Sequence, residues 1–280
     1  MADPTAQTHR PSPALRPFVR RVTGYRLPVV DIVHHGLPSP ELTFLLALDR
    51  PLTVGWSPDA ATARPYWSMV SGMHSAPAYV FPSSGLVGIQ LDLTPAGARA
   101  LLGIPAGALR AATVELAEIA GRVGQELGDQ VRSAADWPDR FDRLDSALLT
   151  MVDPQREMRT ELRWAWQRLT RAGDRRVDRL ADEIGWSRGY FARLFAAEFG
   201  LQPKETARVV RFDLARRALA DGTVAAGTVP GRAARPGRLV ADVAARYGYA
   251  DQAHLTREWG RLAGCTPGEW QREVLAFVQS

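Results

Sequence analysis

Polar side chains recur at the start of two predicted helices in the C-terminal third of the chain. The first helix carries Arg188 and Arg193, and the second carries Gln252, His254 and Arg257. Side chains of these types near a helix N-terminus can hydrogen-bond to base edges in the DNA major groove, and arginine can also contact phosphate. The chemistry open to these residues is therefore recognition of nucleic acid.

A sequence pattern that occurs twice would position these side chains. The two copies are residues 177–203 and residues 240–267. Each has an apolar helical stretch, then a glycine that can turn the chain sharply, and then a residue able to cap the next helix. This is the organisation of a helix-turn-helix unit. Aligned on Gly185 and Gly248, the copies match Leu180/Ala181 with Val243/Ala244, Phe191 with Leu255, Arg193 with Arg257, Phe195 with Trp259, Gly200 with Gly264 and Pro203 with Pro267.

The C-terminal part resembles the DNA-binding domain of the AraC/XylS family of bacterial transcription regulators. The similarity covers about residues 160–275 and rests on LADEIGWSRGYFARLFAAEFGLQP, on the connecting helix ARVVRFDLARRAL and on VADVAARYGYADQAHLTREWGRLAGCTPGEWQRE. The last segment is the most specific of the three. The resemblance implies two helix-turn-helix units that enter successive major grooves on one face of the DNA. It also implies an N-terminal domain that binds an effector, a partner subunit or both.

The resemblance places the DNA-contacting residues in the second helix of each unit. The first recognition helix begins at Ser187 and includes Arg188, Gly189, Ala192 and Arg193, and the second begins at Asp251 and includes Gln252, Ala253, His254, Thr256 and Arg257. Gly189 and Ala192 are smaller than the residues that family members often carry there, so the first helix is expected to read fewer bases. Arg193 and Arg257 could contact bases or phosphate, or could pair with a nearby acid such as Glu198 or Glu258.

A long connection separates the two units. Residues 221–237, DGTVAAGTVPGRAARPG, stand where the family has a much shorter connection, and their Gly, Pro and Ala content predicts a flexible surface loop. Arg232, Arg235 and Arg238 could contact phosphate, or the segment could be an insertion without a function.

The first half of the chain predicts strands followed by helices. Short apolar runs at 42–48, 66–70, 78–81 and 86–93 lie between turn-forming sequences, as in a small sandwich or barrel. Helical patterns follow at 94–103, 114–131, 136–151 and 157–171.

We therefore predict an α+β fold class. A β-rich N-terminal domain, for which a cupin-like barrel is one candidate, is followed by helices and then by an all-α C-terminal domain with two helix-turn-helix units. The expected ranges are 1–14 for a flexible N-terminus, 15–155 for an effector or dimerisation domain and 156–280 for the DNA-binding domain.

Charge is divided in the same way. Residues 1–155 contain 13 Arg and 15 acidic residues, whereas residues 156–280 contain 22 Arg and Lys and 15 acidic residues, so the net charge changes from −2 to +7. A basic part behind a near-neutral part is typical of a nucleic-acid-binding module with a separate partner domain. An arginine-rich solvated surface would give the same numbers.

The β-rich half has candidate residues for a small-molecule site. Trp56, Tyr66, Trp67, Tyr79 and Phe81 could line a pocket, because barrels can enclose one, or could fill the core. For His34, His35 and His74 no H-x-H spacing or matching carboxylate is present, so we expect neither a metal nor another cofactor.

The sequence lacks the features that are typical of several protein classes. It has one cysteine, no apolar run long enough to span a membrane and no apolar segment of a secretion signal after Met1, which predicts a cytoplasmic location. The motifs of nucleophile elbows, zinc proteases, P-loops and dinucleotide-binding turns are missing. We therefore expect no enzymatic activity.

These patterns favour a sequence-specific transcription regulator, either an activator or a repressor. Its expected partners are double-stranded operator DNA, a small-molecule effector, RNA polymerase and a second copy of the chain. Two alternatives stay open. One is a DNA-processing or alkylation-response enzyme that uses the helix-turn-helix pair for targeting, and the other is a sensor in which DNA binding is vestigial.

Overall fold

Strands form the first part of the structure and helices the second. The computed structural model describes residues 5–27, 33–81, 85–171, 177–227 and 236–272. The strands are β1 (Thr5–His9), β2 (Val19–Leu27), β3 (His34–Gly36), β4 (Leu42–Ala47), β5 (Leu52–Gly55), β6 (Arg64–Tyr66), β7 (Ser68–Ser71), β8 (Ala78–Val80), β9 (Leu86–Leu93) and β10 (Thr113–Glu115). The helices are α1 (Pro95–Leu102), α2 (Leu116–Arg132), α3 (Trp137–Met151), α4 (Thr160–Thr170), α5 (Val177–Glu183), α6 (Arg188–Phe199), α7 (Pro203–Gly227), α8 (Pro236–Arg246) and α9 (Gln252–Ala263). The predicted fold class is thereby confirmed.

Two antiparallel sheets pack face to face in the N-terminal part. The larger has the order β1-β2-β9-β4-β7-β10, and the smaller has the order β3-β8-β5-β6. Side chains of successive strand residues point to opposite faces. In β4, Leu42, Phe44 and Leu46 therefore join the core shared with the helices, while Leu45 and Ala47 join a separate apolar cluster between the two sheets. Burial on both faces explains why β4 is an almost continuous apolar run.

The sequence predicted a flexible segment at residues 1–14, of which residues 1–4 lie outside the described part and residues 5–14 differ from the prediction. Thr5–His9 form β1, which pairs with β2 in antiparallel register. The His9 ring stacks on Phe141 of α3 at a centroid distance of 4.7 Å, and the Ser12 amide donates a 2.7 Å hydrogen bond to Asp145. The sequence of this segment has no strand pattern of its own. Its structure depends instead on pairing with the edge of the sheet and on contacts with α3.

A second difference lies before α2, where the sequence predicted helix from residue 114. Thr113–Glu115 instead form β10 at the far edge of the larger sheet. The Glu115 carboxylate accepts hydrogen bonds from the amides of Trp67 (2.7 Å) and Ser68 (3.1 Å), so the side chain adds to the pairing of this edge. The predicted bounds of α1 are confirmed: Thr94 caps its first turn, and Gly103 ends it with a φ of 75°.

The helical C-terminal part packs directly on the N-terminal part. Arg99 of α1 donates two 2.6 Å hydrogen bonds to Glu198 of α6, whose side chain is only 5% exposed. Beside this pair, a Cβ on Gly107 would lie 2.2 Å from the carbonyl oxygen of Ala197, so the backbones approach too closely for any other residue. One buried apolar cluster runs through both parts. The first helix-turn-helix unit is therefore fixed to the N-terminal part.

No helix in the described ranges combines the length and the apolar character needed to cross a membrane.

Candidate nucleic-acid interface and ligand cavity

The first predicted helix-turn-helix unit is present as α5 and α6. Gly185 connects them with a φ of 72°, a left-handed conformation that a glycine adopts without steric cost. The Ser187 hydroxyl then accepts a 3.3 Å hydrogen bond from the Tyr190 amide and caps α6. Phe195 and Phe199 face inward, and Phe199 stacks on Trp166 of α4 at 4.4 Å. Aromatic packing thus sets which face of α6 remains outside.

The second unit is formed by α8 and α9 with a turn one residue longer. Gly248 has a φ of 78°, and the Asp251 carboxylate accepts a 2.6 Å hydrogen bond from the His254 amide. Trp259 is buried against Phe212 of α7 at 4.8 Å. Both units therefore pack on the long helix α7 that connects them, and their caps lie where the sequence placed them.

The predicted contact residues lie on the outer faces of α6 and α9. Those that are exposed are Ser187, Arg188, Gly189, Arg193, Asp251, Gln252, Ala253 and Arg257. Those that are half-buried are Ala192, His254 and Thr256. Because the apolar faces are covered, the outer faces are the ones available to a ligand as large as DNA.

The acidic residues that could have neutralised Arg193 and Arg257 are engaged elsewhere. Glu198 pairs with Arg99, and Glu258 pairs with Arg211 at 2.5 Å. Neither Arg193 nor Arg257 has an ion-pair partner among the residues that the structure describes. Of the two interpretations left open by the sequence, the local ion pair is therefore not the one observed.

Tyr190 is an outward-facing residue of α6 that is not among the contact residues predicted from the sequence. Its side chain is 39% exposed, and its ring packs edge-on against Trp186 with the centroids 5.1 Å apart. The Arg193 guanidinium lies 5.4 Å from the ring centroid of Tyr190, within cation–π range. Tyr190 is three residues after its cap, as His254 is in the other unit, and this equivalence was the signal that could have identified it.

The predicted loop at 221–237 is partly helical. Helix α7 continues to Gly227, and α8 begins at Pro236. Alanine-rich sequence in the first part of the segment supports this extension, since alanine has the highest helix propensity. Arg232 and Arg235 lie outside the described residues, and the side chain of Arg238 is likewise not described.

A cavity of about 340 Å³ lies between the two sheets of the N-terminal part. Alternate residues of the larger sheet line one wall: Thr43 and Leu45 of β4, Met69 and Ser71 of β7, Gln90 and Asp92 of β9. The smaller sheet lines the other wall with Leu52, Val54, Ala78, Val80 and the residues His34, His35 and Gly36 of β3. The volume is in the range of small-molecule sites.

The cavity also touches the helical C-terminal part. Arg216 and Arg217 of α7, together with Trp270, border it. Arg217 lies 3.3 Å from Glu41 in the N-terminal part and 2.8 Å from Asp213 in α7. A molecule that reaches this end of the cavity would therefore contact a helix that carries both recognition units.

Two buried carboxylates, each paired with a half-exposed arginine, define the polar end of the cavity. Glu41 is almost fully buried and lies 2.7 Å from Arg20, while Arg21 lies 2.7 Å from Asp92. Burial raises the pKa of Glu41 above its ordinary value, and Arg20 opposes this shift. Apolar walls and a cluster of charges thus meet in a single site.

The five aromatic residues predicted for a pocket are not in the lining of this cavity. Tyr66 belongs to the apolar cluster between the sheets, and Phe81 is buried. Trp67 is 43% exposed, and Tyr79 is on the face of β8 opposite Ala78 and Val80. Trp56 packs edge-on against His74 with the ring centroids 5.0 Å apart. These aromatic residues therefore pack in the core or lie at the surface and do not line the cavity. A better signal was the pair Gln90 and Asp92, polar residues on one face of a strand whose other face is fully apolar.

His34, His35 and His74 all border the cavity. Burial lowers the pKa of His74, which favours its neutral form. In the ranges that the structure describes, no three His, Cys, Asp or Glu residues are placed to hold a metal ion together.

No protein-family model and no curated protein matches the sequence. The fold, however, is similar to solved structures of ToxT from Vibrio cholerae. An apo lysine-to-alanine variant from strain SCE256 has a TM-score of 0.51 at 10% identity, covering 90% of this chain and 97% of that one. Wild-type ToxT of this strain bound to an unsaturated fatty acid has a TM-score of 0.50 at 10% identity, covering 94% and 96%. ToxT of strain O395 bound to (E)-4-(8-methylnaphthalen-1-yl)but-3-enoic acid has a TM-score of 0.50 at 11% identity, covering 96% and 99%.

The likeness extends over nearly the whole length of each chain. At this identity it concerns the fold, which is a β-rich N-terminal part followed by helices in both proteins.

Proposed function

We propose that this protein is a sequence-specific, DNA-binding transcription regulator of the AraC type, controlled by a small molecule that binds in its N-terminal part. The observation that carries the proposal is the presence of two capped recognition helices. Each presents an exposed arginine without a carboxylate partner among the described residues, in a part of the chain with 22 basic and 15 acidic residues. Such helices supply base contacts, while arginines and helix N-termini anchor phosphates.

The proposed division of labour follows the sequence. Residues 15–155 form the effector and dimerisation domain, and residues 156–280 bind the DNA. Helices α2 and α3 each leave a large apolar side chain exposed, Val123 and Leu149, which supports assembly with a second copy of the chain. Interaction with RNA polymerase, a cytoplasmic location and the lack of catalytic activity belong to the same proposal.

An apolar carboxylic acid is the effector class that the cavity supports best. One part of its lining is aliphatic, formed by Leu37, Leu45, Leu52, Val54, Ala78 and Val80. The other part is polar, with Arg21, Arg216 and Arg217 beside the carboxylates of Glu41 and Asp92. Arg20 and Asp213 pair into the same cluster, so that four arginines meet three carboxylates there. The excess of one arginine favours an anionic group at the polar end. Two of the ToxT structures hold ligands of this chemistry, an unsaturated fatty acid and a naphthyl-substituted butenoic acid.

A selection experiment tests both halves of this proposal. The full-length protein is incubated with a library of random DNA duplexes, and bound duplexes are amplified and sequenced. We expect one sequence motif to be enriched. Oleic acid is then expected to change the affinity for the enriched duplex by about fivefold or more, because an effector acts through its different affinities for two states of the protein.

Matched variants locate the effector. Val80→Phe places a larger side chain into the cavity, whereas Ala61→Phe introduces the same side chain at an exposed position outside the cavity. The first variant should bind the duplex but lose the response to oleic acid, and the second should keep both. Oleyl alcohol, which lacks the carboxylate, should have no effect. A library that yields no motif would contradict DNA recognition, and an unchanged response in Val80→Phe would contradict this location of the effector.

A further inference from the structure

We propose that Arg211 of α7 and Glu258 of α9 form an internal brace that sets the orientation of the second recognition helix, so that both are positioning residues for DNA recognition without contacting DNA themselves. The inference rests on the proposed function for its DNA part. Its structural part can be tested without DNA.

The contact between the two side chains is close and shielded. Arg211 donates hydrogen bonds from Nη2 to both oxygens of the Glu258 carboxylate, at 2.6 and 2.5 Å, and from Nε at 3.2 Å. The side chains are only 20% and 12% exposed. A planar guanidinium that holds a carboxylate through several hydrogen bonds fixes direction as well as distance. The pair therefore restrains the rotation of α9 about its own axis.

The same guanidinium also holds the turn before α9. It lies 4.6 Å from the ring centroid of Tyr249, a residue of that turn with a side chain that is 5% exposed. Burial raises the pKa of the Tyr249 hydroxyl far above its ordinary value, so that this group stays protonated. Arg211 thus connects α7 at once to the recognition helix and to the segment that introduces it.

His254 completes this network. Its Nδ1 accepts a hydrogen bond of 3.2 Å from the Ala250 amide, which leaves the proton on Nε2. The Nε2 atom lies 3.8 Å from Glu258, and the ring packs edge-on against Tyr249 at 5.4 Å. One nitrogen of a predicted base-contacting residue is therefore already used within the protein. We infer that His254 acts mainly as part of the brace.

The first unit is held in a different way. Leu194 occupies the position in α6 that Glu258 occupies in α9, counted from the two caps. Helix α6 is instead tied to the N-terminal part by Glu198 and Arg99. The brace is thus a polar contact that joins α9 to α7, and through α7 it sets the separation of the two recognition helices.

The brace has a second consequence for DNA binding. Glu258 belongs to the helix that would enter the major groove, where an uncompensated carboxylate would repel phosphate. The Arg211 guanidinium neutralises it from the protein side. Removing Arg211 should therefore weaken DNA binding even though the arginine makes no contact with phosphate.

The structural part is tested by measuring the distance between the recognition helices. Gly189 and Gly260 are exposed, and a Cβ at either position would meet no other atom within 4 Å. Spin labels on Gly189→Cys and Gly260→Cys, in a Cys265→Ala background, report this distance by double electron–electron resonance. We expect one narrow distribution in the parent protein and a broader one after Arg211→Ala. Arg143→Ala, which removes a surface ion pair with Asp139, serves as the control and should leave the distribution narrow.

The DNA part uses the duplex enriched by the wild-type protein. Arg211→Ala should bind it about tenfold more weakly, whereas binding to random duplex should change less than about threefold. The double variant Arg211→Met and Glu258→Leu removes both charges together, and its salt dependence should keep the wild-type slope, because no phosphate contact is lost. Glu258→Gln keeps hydrogen-bonding capacity without the charge and provides a milder variant, for which an intermediate broadening is expected.

The possible results separate the two proposals. An unchanged distance distribution in both Arg211→Ala and Glu258→Gln would overturn the brace. A reduced salt slope in the double variant would overturn it as well, since it would show that Arg211 contacts phosphate. If Arg211→Ala does not fold, Glu258→Gln decides the matter by the same two measurements. A wild-type protein that enriches no duplex would contradict the proposed function, while the distance measurement would still decide on the brace.

Discussion

Replacing Arg99 with alanine is expected to lower the free energy of unfolding by about 3 kcal/mol, because it leaves the buried Glu198 carboxylate without its partner. The penalty arises because the Glu198 carboxylate stays buried after its partner is removed. Water cannot reach it well enough to replace the lost interaction. Arg99 is partly exposed, at 29%, so we expect a value near the lower end of the range of about 3–5 kcal/mol for such pairs. Urea denaturation of the full-length protein measures the change.

Two further variants show whether the charge is the cause. In the double variant Arg99→Met and Glu198→Leu, both charges are replaced by apolar side chains of similar size, and most of the stability should return. Arg122→Ala breaks the exposed pair with Glu126 and should leave the unfolding transition unchanged. If Arg99→Ala were as stable as the wild type, the proposed anchoring of the first recognition helix to the N-terminal part would be wrong.

The double variant Arg193→Ala and Arg257→Ala is expected to weaken binding to the enriched duplex by about 2–6 kcal/mol. Each arginine should contribute about 1–3 kcal/mol if it contacts a base or a phosphate in a good geometry. The two contributions should add, because the residues lie on different helices and share no partner among the described residues. Fluorescence anisotropy at several salt concentrations measures both the affinity and the salt slope.

The salt slope distinguishes the two kinds of contact. A phosphate contact should lower affinity on all duplexes and reduce the slope by about one for each arginine, whereas a base contact should lower affinity mainly on the enriched duplex. Arg122→Ala and Arg163→Ala remove surface arginines outside the recognition helices and serve as the control. Equal affinity of the double variant and this control would contradict the assigned role of both arginines.

The helix-turn-helix units could be predicted closely because their determinants are local. Gly185 and Gly248 turn the chain, Ser187 and Asp251 cap the next helix, and each acts on neighbours a few residues away. Short-range patterns of this kind are readable from one sequence. The charge of the C-terminal part added independent support.

A small-molecule site in the β-rich part could be predicted, but its lining could not, since the lining comes from many separate segments. Leu45, Gln90 and Arg217 lie far apart in sequence, and only the pairing of β4 with β9 and the docking of α7 bring them together. The strand β1 was missed for the same reason, because its partner is an edge of the sheet and its sequence has no strand signal. The contact between Arg211 and Glu258 could likewise not be predicted, since the two residues are 47 positions apart in the sequence.

Hydroxyl-radical footprinting of the full-length protein on the enriched duplex tests most directly whether the two units bind DNA together. We predict two protected stretches on one face of the duplex, about one helical turn apart, because two recognition helices on one rigid helix α7 would enter successive major grooves. Arg193→Ala should weaken protection in one stretch and Arg257→Ala in the other. A single protected stretch, or protection spread evenly along the duplex, would contradict this account.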